Sequence, residues 1–500
     1  MNSFIVNKLK RDELKTIGHY SGYVCILIGL FMLAPIITAL AYHDAPTYLN
    51  AFIISSAISI AIGIILFTSF RSKQLTQLSL KGSLIFVLSI WGITALLAGL
   101  PYYVSGDLGF VDSIFQGMSG ITTTGFSLIP VEEVSFSICL WEALTQWFGG
   151  LGIIVLLLVV VPSSVSLKRL YFAEGKTEQM TPNIKHTIII FIKLYLLLTA
   201  IGIVLYLLIG LDLFDAICYC FCGIATGGFS VDANHVENFS QPLMQLVTII
   251  IMILGSTNFV LLYRLFKGNT KQLFKDEEVK AMAIIIIFGT VLIALSLYFG
   301  GYYHQDIVKI FSHSLFQVVS VMSSTGFTST DITAWPSFCY HILIILMFIG
   351  GSVCSTSGGL KIYNIVVMIK SIWWEVQTML LPKNTIIVKK IYHDNKYMDV
   401  SNDNIRTILI YIIAYILIFL VSSMIILLFC NNLEIAYSLV ASSLGNTGVG
   451  PDYFSITMPL PIKIIMIIDF WVGRIGKLSK GYTSRNFFHQ FGSFRYGAFH

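Results

Sequence analysis

Charge is what this 500-residue chain has least of. Asp, Glu, Lys and Arg make up 11% of it, whereas 56% of its side chains are hydrophobic. An ordinary soluble domain carries about a quarter charged residues, so the composition excludes a water-soluble globule and places the chain in lipid. The 31 basic residues against 26 acidic ones lack the clustering that tracks a phosphate backbone, which excludes nucleic acid as a partner. Cysteines of CxxC spacing are also absent. Cys218, Cys220 and Cys222 alternate inside an apolar run, a spacing that reads as packing thiols rather than a zinc site. With no HExxH, no GxSxG and no acidic pair repeated within the apolar runs, acid-base or metal catalysis has no residues to carry it, and the chain is not expected to be an enzyme. GRIGKLS at 473–479 leaves two residues between its glycines where a P-loop needs four. Any nucleotide control must therefore come from another chain.

What is present is a series of long apolar runs, at about 18–41, 50–70, 80–103, 140–162, 186–210, 242–264, 280–301, 339–370, 405–429 and 460–476. Each is near or above the roughly 17–25 residues that a membrane crossing takes, so ten crossings are expected. Met1 to Lys15 is polar and leads directly into a run long enough to span, which argues against a cleaved signal and for a cytoplasmic start. Basic residues accumulate on the cytoplasmic side of spans. Of the 31 Lys and Arg, 29 fall in alternate segments, leaving only Lys309 and Lys463 on the opposite side. Both termini are thus expected in the cytoplasm.

The long outward segments each hold a short apolar, helix-like piece: Asp112 to Gly120, Phe214 to Gly223, Asp306 to Met322 and Glu434 to Leu444. Pieces this short cannot cross, but they can dip in and return where protein or a wet cavity shields the backbone. A small turn follows each one, reading TTTGFS at 122–127, ATGGFS at 225–230, SSTGFT at 323–328 and GNTGVG at 445–450. Gly125, Gly228, Gly326 and Gly448 are spaced by 103, 98 and 122 residues, a period that fits span, re-entrant helix, turn, span. The expected fold is an all-α polytopic membrane protein of four pseudo-symmetric repeats around a central pore. The repeats divide as 76–170, 171–270, 271–385 and 386–476, preceded by a cytoplasmic segment and two extra spans over 1–75 and followed by a tail over 477–500. Four such turns on one axis suit a dehydrated monovalent cation. Glycine permits backbone angles that let successive carbonyls replace a hydration shell, and the short helices point their partial negative ends at the cavity.

LFDAI…CGIATGGFS at 213–230, VSVMSSTGFTSTD at 319–331, LTQWFGGLGII at 144–154 and GGSVCSTSGGLKI at 350–362 resemble the Trk/Ktr/plant HKT superfamily of potassium transporters, over residues 75–476. The resemblance implies a pore subunit that admits potassium, with Gly125, Gly228, Gly326 and Gly448 as filter positions. Thr123, Thr124, Thr226, Gly227, Ser324, Thr325, Asn446 and Thr447 would be their ion-lining neighbours, and potassium the transported ion rather than a covalently held cofactor. In the plant branch, serine at the first of these glycines accompanies sodium permeation, so four glycines favour potassium. A sodium-permeable or sodium-stimulated Ktr-type transporter stays open as an alternative. The resemblance further implies a homodimer in the cytoplasmic membrane, in contact with lipid and with a cytosolic nucleotide-binding regulatory ring.

Within the run 339–370, Gly350, Gly351, Ser352, Ser355, Thr356, Ser357, Gly358 and Gly359 are eight small residues in ten, too many for a continuous helix. The resemblance makes this stretch a gating loop below the filter, with Arg474 facing it and Lys361 beside it. Close helix packing through small residues, and snorkelling of Arg474 to the headgroups, are the alternatives. Asp469 has no counterpart in the resemblance. Beyond Gly476 the chain turns polar, basic and aromatic, unlike the family's continuing helix; low order is expected from about 478, and a nonfunctional homologue stays open on that account.

Overall fold

The computed structural model describes residues 11–71, 78–152, 170–171, 178, 180–181, 183–231, 239–382, 385, 387–393, 396–450 and 455–475. The expectations for residues 1–10, for the second half of the 140–162 run and for everything from Gly476 onward lie outside them.

Helices dominate, as apolar runs in lipid require, because only internal hydrogen bonds can satisfy the backbone there. Six stretches among the described residues are long and apolar enough to cross. The first is α1 (Arg11–Phe31) continued by α2 (Leu33–Ala41) as one stretch. It is followed by α3 (Pro46–Ser69), α4 (Leu80–Ser105), α7 (Ile184–Leu208), α11 (Glu277–Phe299) and α15 (Asn402–Cys430). Their outward faces stay apolar: Ile284, Ile287 and Phe288 on α11, and Ile413, Leu417 and Leu420 on α15, are exposed in positions suited to lipid.

Between these lie the short helices α5 (Phe110–Ile121), α8 (Leu213–Ile224), α12 (Ile307–Met322) and α16 (Leu433–Gly445). Each is followed by a return helix: α6 (Phe136–Leu151), α9 (Pro242–Ser256) continued as α10 (Phe259–Phe266), α13 (Ser337–Ile349) continued as α14 (Ile362–Leu380), and α17 (Leu460–Ile475). The helix starts are written locally, since Ser135, Asn183, Asp276, Asp306, Ser401 and Asn432 each accept a backbone N–H from the first turn they open.

Packing is cyclic. Every short helix lies against the long helix before it and the return helix after it, and each return helix also touches the next short helix: α6 with α8, α9 with α12, α13 with α16, and finally α17 with α5. That last contact closes the ring. Backbones approach closely at glycines on the return helices. A Cβ at Gly149 would lie 2.1 Å from Ile121 O, one at Gly255 2.6 Å from Ile224 O, and one at Gly473 2.2 Å from Leu444 O.

The first two spans pack on each other through small residues, as membrane helices do. Gly22 and Gly63 face each other and Ser56 Oγ donates to Gly29 O at 2.8 Å. The pair leans on α4 and α6, beside the first short helix.

Two expected spans are not continuous. The 339–370 run divides into α13 and α14, as its small residues imply. The 242–264 run, expected as one straight crossing, instead bends by 109° between α9 and α10. The reason is physical: Gly255 O and Ser256 O are hydrogen-bonded by Thr356 N and Ser352 N from the neighbouring repeat, and Asn258 Oδ1 caps the new helix at Val260 N.

Candidate functional site

The four turns after the short helices share one hydrogen-bond pattern. Thr124 N, Gly227 N, Thr325 N and Thr447 N donate to the carbonyl five residues back, at 2.8, 2.8, 2.9 and 2.9 Å. The residue before each of these, Thr123, Thr226, Ser324 and Asn446, is left-handed with φ between 51° and 59°. The glycines that follow have φ of 90°, 76°, 89° and 77°. Left-handed geometry at alternate positions is costly for side-chain-bearing residues and recurs here four times, so the surrounding packing must hold it.

These turns meet one another in sequence order. A Cβ on Gly125 would lie 2.0 Å from Gly227 O, on Gly228 1.9 Å from Thr325 O, on Gly326 1.9 Å from Thr447 O, and on Gly448 2.1 Å from Thr124 O. Each glycine thus rests on the carbonyl of the next repeat, and the fourth rests on the first. The ring leaves no room for a methyl group at any of its four junctions.

Hydroxyl pairs stiffen two of the turns, with Thr122 and Thr124 at 2.8 Å and Ser323 and Thr325 at 2.6 Å. Asn446 Nδ2 ties the fourth turn to the first by donating to Thr124 Oγ1 at 3.0 Å, and to its own return helix at Phe470 O. Behind the first turn, Gln116 holds Leu128 N and Ser127, and its amide donates to the buried carboxyl of Glu142. Gln146 Oε1 receives Phe229 N beyond the second turn.

The stretch 350–361 is an irregular loop directly beneath the ring. Thr226 Oγ1 donates to Thr356 Oγ1 at 3.2 Å, and Ser357 Oγ donates to Ser324 Oγ at 3.1 Å. A Cβ on Gly358 would lie 2.2 Å from Gly445 O and 2.9 Å from Asn446 Cβ. Gly350, with φ of 68°, packs its Cα side against Gly358 O, and Gly359 closes against Gly350. Gly351 N donates to Ser357 Oγ and Ser355 Oγ to Ser352 O. Lys361 is buried, and its ammonium donates to Ser357 O and Ser355 Oγ, bracing the loop from within.

Arg474 reaches the same point from α17. Its guanidinium donates to Thr123 Oγ1 at 3.2 Å, Thr356 O at 2.9 Å and Gly149 O at 2.7 Å, and sits 5.4 Å from the centre of the Trp91 ring. Loop and arginine between them therefore contact all four left-handed residues of the ring. Buried and turned inward, the side chain does not snorkel. Asp469, one turn earlier, is buried and accepts a hydrogen bond from Ser422 Oγ, which ties α17 to α15.

Motif reading missed three participants: the carbonyls of Gly255 and Ser256, which anchor the loop; Gly149 O, which holds Arg474; and Lys463. The signal for the first was the small polar run Gly255, Ser256, Thr257, Asn258 inside an otherwise apolar stretch. Lys463 is buried, and its ammonium lies 2.6 Å from Asp112 Oδ1 and from Ile456 O. This pair pins α17 to the start of α5, the junction that closes the ring. Breaking a buried pair leaves an uncompensated charge and costs about 3–5 kcal/mol. Lys463→Met should accordingly lower the melting temperature of the detergent-purified protein, and adding Asp112→Leu should restore much of the loss. A lone Lys463→Met with unchanged melting would contradict this role.

A helical, polytopic chain whose four re-entrant turns close in one ring has the build of a membrane cation transport protein. The chain belongs to the TrkH cation transport protein family, whose family model matches residues 49–485, past Gly476. It is 32% identical over 476 residues to an uncharacterized cation transporter of Methanocaldococcus jannaschii, covering 94% of each chain. It is 29% identical over 481 residues to the Trk system potassium uptake protein TrkH of Escherichia coli, covering 92% of this chain and 96% of that one. Its fold is similar to the crystal structure of the potassium transporter TrkH from Vibrio parahaemolyticus, with a TM-score of 0.80, 26% identity, and coverage of 95% of this chain and 99% of that one.

Proposed function

We propose that this protein admits potassium through the ring of Gly125, Gly228, Gly326 and Gly448, with the carbonyls and hydroxyls of Thr123, Thr124, Thr226, Gly227, Ser324, Thr325, Asn446 and Thr447 taking the place of the ion's water. The observation that carries the reading is the closed succession of glycine-on-carbonyl contacts, which joins the backbones of four repeats in one ring, the kind of backbone that can offer carbonyls to a dehydrated cation. Glycine at all four positions favours potassium over the sodium-permeable alternative, and relatives across most of the chain are named for potassium uptake. The loop at 350–359, with Lys361 and Arg474, blocks the path below the ring in this arrangement. A fixed positive charge there also opposes a cation's exit. The driving force is the negative-inside potential, about 2.3 kcal/mol per charge per 100 mV.

We assign the repeats to 76–170, 171–270, 271–385 and 386–476, and on the placement of Lys and Arg we assign both termini and the hairpin between the third and fourth repeats to the cytoplasm, with the protein in the cytoplasmic membrane. A homodimer that receives a cytosolic nucleotide-binding ring fits the absence of a P-loop in this sequence. The test is growth of a potassium-uptake-deficient bacterium at low external potassium, with this chain and its ring partner co-expressed. Rescue is expected. Failure despite good membrane expression would favour the nonfunctional homologue.

A further inference from the structure

On the face assigned to the cytoplasm, three segments remote in sequence bring ionisable side chains to one buried point. His393 ends β1 (Lys390–His393), which pairs with β2 (Lys396–Asp399) in a hairpin. Asp276 is the N-cap of α11 and Glu278 lies in its first turn. All three are buried, and one ligand atom from each lies within 4.8 Å of the others. His393 Nδ1 is 3.2 Å from Asp276 Oδ2 and 4.0 Å from Glu278 Oε2, yet makes a well-formed hydrogen bond to neither. The opposite ring nitrogen, Nε2, lies 2.6 Å from Glu178 Oε1.

A carboxylate on the far nitrogen is what fixes the orientation of a metal-ligating imidazole and raises its basicity. With the near nitrogen turned to two carboxylates, the donor set of one imidazole and two carboxylate oxygens suits a borderline first-row divalent ion. We propose that Asp276, Glu278 and His393 form a binding site for a divalent transition-metal cation of the zinc or manganese class, with Glu178 as the positioning residue. Burial alone works against charge on the imidazole, but Asp276, Glu178 and Glu278 outweigh it and push the His393 pKa up to about 11.

The site is wired to both irregular segments beneath the ring. Glu278 Oε1 accepts Val353 N of the loop at 3.2 Å, and Glu178 Oε2 accepts the amide of Asn258, at the bend between α9 and α10, at 2.8 Å. Phe259 N, one residue on, donates to Cys354 O of the loop. An ion bridging hairpin and helix start would stiffen the loop's anchor and hold the blocked arrangement. This effect on flux rests on the gating assignment above, whereas binding itself does not.

The test uses the full-length purified protein, stripped with chelator and then titrated with Zn2+, Mn2+ and, as a spectroscopic probe, Co2+. One equivalent retained per chain and a Co2+ visible band are expected, both lost in His393→Ala and in Glu278→Gln. Glu178→Gln should weaken binding about 10–100-fold while the band's position persists. Asp399→Asn, on the exposed strand β2, should bind as the unaltered chain does. No ion retained, or equal binding by Glu278→Gln and His393→Ala variants that elute normally on size exclusion, would overturn the site. In proteoliposomes, Zn2+ should lower potassium flux through the unaltered chain but not through His393→Ala. Clean binding with unchanged flux would overturn the link to the loop alone.

Discussion

Gly125→Ser is expected to lower the preference for potassium over sodium by about tenfold, equivalent to about 1.4 kcal/mol. A Cβ at this position would stand 2.0 Å from Gly227 O, with φ at 90°. A left-handed conformation costs an ordinary residue roughly 1–2 kcal/mol, and the overlap with a carbonyl adds to that, so the first turn must retreat from the second. A displaced oxygen no longer completes the shell that a dehydrated potassium ion needs, while the smaller, more strongly hydrated sodium ion tolerates a water in its place. Flux ratios in proteoliposomes read the effect directly. An unchanged ratio would remove Gly125 from the filter. Because the junctions are equivalent, Gly448→Ser should behave similarly, its Cβ meeting Thr124 O at 2.1 Å.

Arg474→Gln should raise basal potassium flux about tenfold or more. The guanidinium joins the first turn at Thr123, the loop at Thr356 and the first return helix at Gly149. Hydrogen bonds to charged groups contribute about 1.5–3 kcal/mol each, so losing even one net bond shifts the balance between blocked and open arrangements by an order of magnitude or more. Glutamine also removes the positive charge from the path. Shortening the loop within 350–359 should act in the same direction, and equal or lower flux in both variants would argue that the loop is a structural plug rather than a gate. Comparing the two separates electrostatic from steric obstruction: a charge-retaining Arg474→Lys should recover part of the block only if charge contributes.

Much of the architecture was legible because its signals are local. Apolar runs report burial in lipid whatever lies beside them. The four Thr-Gly or Gly-Gly turns announce themselves because a left-handed residue two positions before a glycine is a backbone requirement that any copy of the motif must meet. The small residues of 350–359 likewise forecast an interruption, since glycine and serine weaken a helix wherever it stands. The bend at Thr257–Asn258 escaped the same logic. Its four small polar residues sit between strongly apolar flanks, and what breaks the helix there is the capture of Gly255 O and Ser256 O by backbone and side-chain donors of another repeat.

The contacts that brace the ring are of that second kind. Arg474 and Thr356 lie 118 residues apart, Asn446 and Thr124 322 apart, Lys463 and Asp112 351 apart; no spacing along the chain encodes such pairs. Asp276, Glu278 and His393 carry no motif for the same reason: their neighbourhood exists only once the hairpin folds back onto α11.

The sequence by itself determined the medium, the helical build, the fourfold period and the glycines at its turning points, since each follows from the chemistry of neighbouring residues. Only the tertiary structure decided that the fourth turn closes on the first, that the loop and Arg474 together touch every left-handed residue of the ring, and that an acid–histidine cluster anchors that loop. Those facts depend on which distant surfaces come to share a buried space, where an unpaired polar group is costly and every donor must find whatever acceptor the fold brings within reach.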